Sequence, residues 1–442
     1  MKTPIFDFVK NYNDQNQSRF HMPGHKGVSF LGCEPLDITE IDGADVLYSG
    51  DGIINESENN ASKLFGSLKT FYSVEGSSLC IKVMLSALSL KFKNPYVLAA
   101  RNVHRSFIMA CALANVDVDW IYPKNYTHLC SCNIDENDIE TAIKNAKRIP
   151  DAVYLTSPDY LGNIADISAI SKVCKKYGIL LLVDNAHGAY LKFLTDSLHP
   201  LDLGADICCD SAHKTLPVLT GGAYLHISKN CDNDYIDVCR RAFKIHSSTS
   251  PSYLILQSLD LCNKYLATSF SQELSNCVDN ITALKTRLAE NGFAIGKSEP
   301  LKIVINAALS GYLGTDLCEQ LKIYNVIPEF YDQDFIVLMA TPQNKDSDFE
   351  KLTNALLSIK AKPSIARETI KPTYHKRVLS LRDAVFSPQE VVSLADSVGR
   401  ICGAATVACP PAVPIVVSGE RITENDIRIM SSYDITHIDV IK

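Results

Sequence analysis

The sequence lacks most of what would place a protein on a nucleic acid, in a membrane or outside a cell. There is no excess of positive charge: the 442 residues carry a formal net charge of −7 at pH 7. That leaves no basic field for a phosphate backbone and excludes DNA or RNA as the expected partner. No apolar core follows the first residues, since Met1-Lys2-Thr3-Pro4-Ile5-Phe6 soon runs into Asn11-Tyr12-Asn13-Asp14-Gln15, so no signal peptide is expected. The longest apolar stretch near the carboxyl end is broken by Pro410, Pro411 and Pro414, too early for a membrane span. There is no internal repeat and no low-complexity tract. Cysteine is plentiful, at 15 residues, but without a framework. Neither Cys130-Ser131-Cys132 nor Cys208-Cys209 has the gap of a zinc knuckle or a thioredoxin-type motif, and an odd, scattered set points to reduced thiols in a cytoplasm. His21 and His25 have helical spacing, but Met22-Pro23-Gly24 forbids a helix across them, so no metal site is expected.

What is present describes an ordinary globular protein, 46% hydrophobic and 21% charged, long enough for two or three domains. From about residue 70 to 230, short apolar runs alternate with longer amphipathic ones, the pattern of a mostly parallel sheet covered by helices. The runs expected as strands are Tyr96 to Ala100, Ala152 to Thr156, Ile179 to Val183, Ile207 to Cys209 and Gly222 to His226. Helices are expected at Ser78 to Lys91, Ile139 to Ala146 and Ile167 to Tyr177, the last closed by Gly178. After a helical stretch from about 235 to 290, Pro300 introduces shorter alternating elements, a smaller α+β region. The expected divisions are an amino-terminal segment (1–50), a large domain (51–295), a small α+β domain (296–365) and a carboxyl-terminal module (366–442).

Two strand ends carry chemistry. Ile179-Leu180-Leu181-Leu182-Val183 ends in Asp184, followed by Asn185-Ala186-His187-Gly188, and thirty residues on Ser211-Ala212-His213-Lys214-Thr215 follows another apolar run and precedes Gly221-Gly222. Ligands of an open α/β sheet sit outside the carboxyl ends of its strands, where both residues are expected. A desolvated lysine forms a Schiff base at neutral pH, and a carboxylate keeps a pyridine nitrogen protonated so that the ring accepts an electron pair. Lys214 and Asp184 therefore point to pyridoxal phosphate (PLP), with His187 and His213 beside them. A phosphate cradle is expected at Val74-Glu75-Gly76-Ser77-Ser78, where a glycine and two serines open a helix.

These segments, with three more, resemble the Orn/Lys/Arg decarboxylase family of fold type I PLP enzymes, in its short form without an amino-terminal wing. The resemblance runs over nearly the full length. Arg19-Phe20-His21-Met22-Pro23-Gly24-His25-Lys26-Gly27 is similar to the family's opening motif, Arg101-Asn102-Val103-His104-Arg105-Ser106 to its ring-stacking segment, and His246-Ser247-Ser248-Thr249-Ser250-Pro251 to a segment that reaches a neighbouring subunit's phosphate. The resemblance implies an α/β, PLP-dependent transferase-like large domain (aspartate aminotransferase, fold type I) plus a smaller α+β carboxyl-terminal region. It implies that His104 stacks on the ring, that Ala186 packs on the opposite face, that Ser77, Ser78, Ser211 and His213 hold the phosphate, and that Ser248 comes from a partner chain. A homodimer or larger assembly with a shared site follows.

The implied reaction is decarboxylation of a basic amino acid, arginine first, then lysine or ornithine, toward a polyamine. Either Lys214 or His213 would return a proton to the α-carbon. Glu329, in Val326-Ile327-Pro328-Glu329-Phe330-Tyr331, and Glu420, in Gly419-Glu420-Arg421-Ile422, are candidates to receive the substrate's basic tail. Glu420 also suits a helix start. Where relatives tend to have glycine near the carboxyl end, this chain has Ala412, which is expected to deny that turn a positive φ. An aminotransferase on the same fold is a second reading, although no arginine for the substrate carboxylate is obvious in the small domain. A catalytically silent PLP-fold regulator is a third, and the presence of both Lys214 and Asp184 speaks against it.

Overall fold

Runs of β-branched and aromatic residues fill both faces of a buried sheet, and such runs become strands here. In a computed structural model of the chain, which describes residues 1–124, 128–131, 133–366, 371–404, 406–407 and 412–442, the strands in chain order begin with β1 (Lys69–Ser73), β2 (Tyr96–Ala100) and β3 (Asp117–Ile121). They continue with β4 (Ala152–Thr156), β5 (Leu180–Asp184), β6 (Ile207–Asp210), β7 (Ala223–Ile227), β8 (Ala294–Ile295), β9 (Lys302–Asn306), β10 (Phe330–Tyr331) and β11 (Phe335–Met339). Cys132 and Ala408 to Pro411 lie outside the described residues. β2 and β4 have the expected bounds, and β5 and β7 lie one residue later. The chain is α/β with a mostly parallel central sheet. It divides into two compact units interleaved in sequence: Met1–Pro95, Asp151–Leu155 and Ile167–Ser271 form one, and Tyr96–Pro150, Thr156–Asp166 and Gln272–Lys442 the other.

In the first unit the strand order is β1-β7-β6-β5-β4. β5 and β6 are parallel, with Asp184 opposite Cys209, while β7 runs against both β6 and β1. β5 and β6 therefore end side by side, which brings the residues after Val183 next to those after Cys209. The helix Gly76–Lys91 buries Leu79, Cys80, Ile81, Val83, Met84, Leu85 and Leu88 against β6, β7 and the helix Asp234–His246. Each such large side chain contributes roughly 1.5–3 kcal/mol to burial. The first helix, Pro4–Asp14, is tied down by Asp260, whose Oδ2 accepts the Ile5 and Phe6 N–H groups at 2.9 and 3.0 Å.

In the second unit β2 and β3 pair in parallel, and β10-β11-β9-β8 form a four-stranded antiparallel sheet, the smaller α+β region. The carboxyl-terminal residues have a core of their own, in which Leu394, Cys402, Val416, Ile422, Met430 and Val440 are buried together.

Candidate active site

The expected chemistry gathers at the ends of β5 and β6 in the first unit. β5 closes on Asp184. β6 closes on Asp210, and Ser211 then stands, without a side-chain capping bond, before the one-turn helix Ala212–Thr215 that carries His213 and Lys214. The Lys214 ammonium donates to Nε2 of His187 at 3.1 Å. Asp184 is buried, and its Oδ1 accepts the Ala186 N–H at 3.1 Å and the Cys209 thiol at 3.8 Å. Burial pushes the Asp184 carboxyl up from its ordinary range, while the Lys214 charge and the Ala186 N–H pull it down. A protonated pyridine nitrogen beside it would favour the ionised form. His213 gives both its backbone N–H and its ring Nδ1–H to the Gly222 carbonyl, at 3.2 and 3.0 Å. Burial, with the Lys214 charge adding to it, pushes that imidazole below its usual range.

The cradle lies where β1 passes into the 16-residue helix. Gly76 opens that helix with φ +71°, and its N–H donates to the Gly221 carbonyl at 2.7 Å. A Cβ on Gly76 would meet nothing within 4 Å, so the space above the helix start is open. Glu75, at the cap position, makes no side-chain capping bond, and the Ser211 hydroxyl donates to the Ser77 hydroxyl at 2.8 Å. Hydroxyls and helix N–H groups converging on an open space at the positive end of a helix dipole suit a phosphate. The donor set therefore fits PLP. Ser248 is exposed in the same unit, its N–H donating to Glu75 at 2.9 Å and its Oγ accepting the Ser250 N–H at 3.1 Å.

The remaining candidates belong to the second unit. His104 caps the helix Arg105–Ala114, its Nδ1 accepting the Ser106 N–H at 3.1 Å. Glu329 is exposed and accepts the Tyr160 hydroxyl at 2.6 Å. Glu420 is fully buried, and its Oε2 lies 3.2 Å from the Arg101 guanidinium and accepts the Val417 N–H at 2.8 Å. The helix-start reading of Glu420 needs correction: the helix Glu424–Ser432 is capped by Thr423 and Asp426 in a reciprocal capping box. So does the reading of Ala412. It adopts φ +56° despite its Cβ, and its carbonyl accepts the Arg105 N–H at 3.0 Å.

One cluster escaped the sequence. Asp210 is fully buried and accepts from His199 Nε2 at 3.0 Å, His226 Nε2 at 3.2 Å and Asn185 Nδ2 at 2.7 Å. Only the aspartate before Ser211 and the asparagine after Asp184 could have signalled it. His199, Cys208 and Asp210 also come within 4.8 Å of one another. His199 Nε2 and the Asp210 carboxylate are already bonded to each other at 3.0 Å, which leaves this trio engaged within the network rather than open to an ion.

Comparison with known proteins bears on the whole chain. Residues 3–313 match the family described as Orn/Lys/Arg decarboxylase, major domain. The sequence is 30% identical to the uncharacterized protein YaaO of Bacillus subtilis (strain 168), over 98% of this chain and 94% of that one. It is 28% identical to the arginine decarboxylase of the same organism, over 96% and 92%. Among solved structures it is similar to the lysine decarboxylase of Francisella novicida, with a TM-score of 0.82, covering 100% of this chain and 81% of the other at 16% identity, a likeness of fold alone.

Proposed function

We propose, from the premise that this chain belongs to the Orn/Lys/Arg decarboxylase family, that it converts L-arginine to agmatine and CO2 in polyamine biosynthesis. The chain is a PLP-dependent decarboxylase of a basic amino acid. Arginine is preferred because a relative named arginine decarboxylase aligns over nearly the full length of both chains. Lysine is the second candidate and ornithine the third.

The observation that carries the site is the convergence of Lys214, His187 and Asp184 beside an open, hydroxyl-lined helix start. In this reading Lys214 is the covalent anchor, Asp184 holds the ring nitrogen, Ala186 packs on the ring, and Ser77, Ser78, Ser211 and His213 hold the phosphate. The family resemblance adds His104 as the stacking residue. When bound, PLP supplies an electron sink for the pair left as the α-carboxylate departs. Lys214 then returns the proton to the α-carbon. His213 is the weaker acid for that step, because its Nδ1–H is committed to the Gly222 carbonyl and burial disfavours a second ring proton.

A homodimer follows from the same reading. Phe20, Met22, Phe30 and Leu31 are between 72% and 97% exposed in the amino-terminal segment, an apolar set that a second copy would cover. Every described cysteine is a free thiol, which supports a reducing, cytoplasmic setting. No helix among the described residues is long and apolar enough to cross a membrane. The test is reconstitution with PLP, borohydride trapping and CO2 release from arginine, lysine and ornithine. Covalent PLP in Lys214→Ala would overturn the anchor. Release from lysine or ornithine but not arginine would overturn the substrate, and amino transfer to a keto acid without CO2 would overturn the reaction.

A further inference from the structure

The buried cluster around Asp210 has no place in the chemistry above, yet it touches both ends of the site. Asp210 is the residue before Ser211, and Asn185 is the residue after Asp184. Their side chains meet at 2.7 Å, alongside a backbone bond from the Asn185 N–H to the Cys209 carbonyl at 2.9 Å. The Asn185 amide has been given room for this: a Cβ on Gly188 would stand 2.0 Å from Asn185 Oδ1.

The other carboxylate oxygen of Asp210 takes two imidazoles, and the bonding fixes their protons. His199 Nδ1 accepts the Leu201 N–H at 3.3 Å, so its Nε2 carries the hydrogen given to Asp210. His226 Nδ1 lies 2.8 Å from the Thr70 hydroxyl, which can donate to it, leaving Nε2–H for Asp210. Burial alone would raise the Asp210 carboxyl, but the two imidazoles hold it well below the usual range, while burial pushes His226 down toward its neutral form. The network thus reaches from β5 through β6 and β7 to Thr70 on β1, the strand that leads into Gly76. Neither oxygen of Asp210 is available to a ligand, and none of the four side chains needs to touch one.

We propose that Asp210 is a positioning residue: its clamped carboxylate ties the Asp184–Asn185 strand end to the Ser211 turn, fixing the ring-nitrogen and phosphate ends of the cofactor site at one separation. The proposal rests on the roles given above to Asp184 and Ser211. Catalytic groups lose on the order of a hundredfold in rate when misplaced by about 1 Å, and partners that orient such groups matter in proportion.

The test uses the full chain reconstituted with PLP, comparing wild type, Asp210→Asn, Asn185→Ala and Asp184→Asn. Four quantities are read: PLP affinity, the 31P resonance of the bound phosphate, the pH midpoint of the cofactor absorption band, and kcat and KM separately. Asp210→Asn is expected to weaken PLP on the order of tenfold, to move the phosphate resonance and the absorption midpoint together, and to lower kcat with KM little changed. Asn185→Ala, which leaves the carboxylate with both histidines, should produce the same pattern to a smaller degree and carries the test if Asp210→Asn does not fold. A lowered melting temperature with an unmoved resonance, band and affinity would overturn the proposal, as would a shift at one end only. If Asp184→Asn leaves the band and affinity as in wild type, the reading of Asp184 itself fails and this inference falls with it.

Discussion

Removing the Glu420 carboxylate should destabilise the second unit strongly without acting first on the substrate. Arg101 and Glu420 are each about 1% exposed in their side chains, with 3.2 Å between guanidinium and carboxylate. At that distance and an effective dielectric constant of about 20 the attraction is about 5 kcal/mol. In the intact protein much of it is offset by the desolvation of both ions. Glu420→Ala keeps the desolvated guanidinium and removes its counter-ion, while the uncharged carbonyls of Pro414 and Ile415 still accept from it at 2.9 and 3.1 Å. The Val417 N–H loses its acceptor as well. A broken buried pair costs about 3–5 kcal/mol, which at roughly 2–4 °C per kcal/mol for a unit of this size lowers the melting temperature by about 10 °C. Arg101→Met added to Glu420→Leu should cost less than the sum of the single changes by about 2 kcal/mol, because no unpaired charge remains. Thermal and urea unfolding of wild type, Glu420→Ala, Glu420→Leu, Arg101→Met and the double variant measure this, alongside KM for arginine. A Glu420→Ala protein that melts within a degree or two of wild type but needs tenfold more arginine would refute the reasoning and make Glu420 the receptor of the substrate's tail.

Gly76→Ala places a methyl in the open space above the helix start at φ +71°, where the backbone strain alone costs about 1 kcal/mol. PLP affinity should fall at least about tenfold while the melting temperature moves only a few degrees; an unchanged affinity in an absorption titration would remove the phosphate from this helix. Asp260 is pushed up to about 6 by burial, with the Ser57 hydroxyl and the Phe6 and Ile5 N–H groups pulling the other way, whereas an unfolded aspartate titrates near 3.9. The folded chain therefore binds that proton more tightly. Stability from this group grows as pH falls from about 7 to about 4, by on the order of 2 kcal/mol, and Asp260→Asn abolishes the growth. Melting both proteins across that range checks it, and a pH-independent gap between them would count against it. Ala412→Gly relieves the left-handed turn and should raise stability by roughly 0.5 kcal/mol, net of the entropy glycine adds to the unfolded chain. A fall in stability would mean that the alanine methyl packs favourably enough to outweigh the strain.

How far the site could be read from the sequence follows from how far apart its parts lie along the chain. Asp184 is legible because the apolar strand β5 stops on it at the sheet's carboxyl edge, and Lys214 because it follows the apolar run of β6 within one short turn, where no distant neighbour need be known. The Gly76 helix start is legible for the same local reason. β1 and β3 are not, because Lys69 and Ser73 frame the one, and Asp117 and Asp119 interrupt the other; buried Lys69 is matched by Glu58 and by Asn55, each 2.8 Å away. The Asp210 network needs β7 to run against β6, so that His226 faces back toward Asp210, and nothing in the run Ala223 to Ile227 announces its direction. His199 precedes a proline and caps the helix Pro200–Leu203, and its second bond, to Asp210, is invisible from that position. Glu420 illustrates the limit most sharply. Its local sequence offers a helix start and a family motif, but its partner Arg101 lies 319 residues earlier, at the end of β2. A carboxylate's role is set by the cation that reaches it, and for buried carboxylates that cation is chosen by topology. Sequence can therefore nominate Glu420 for a function, while the 3.2 Å contact to Arg101 shows which charge it is already answering.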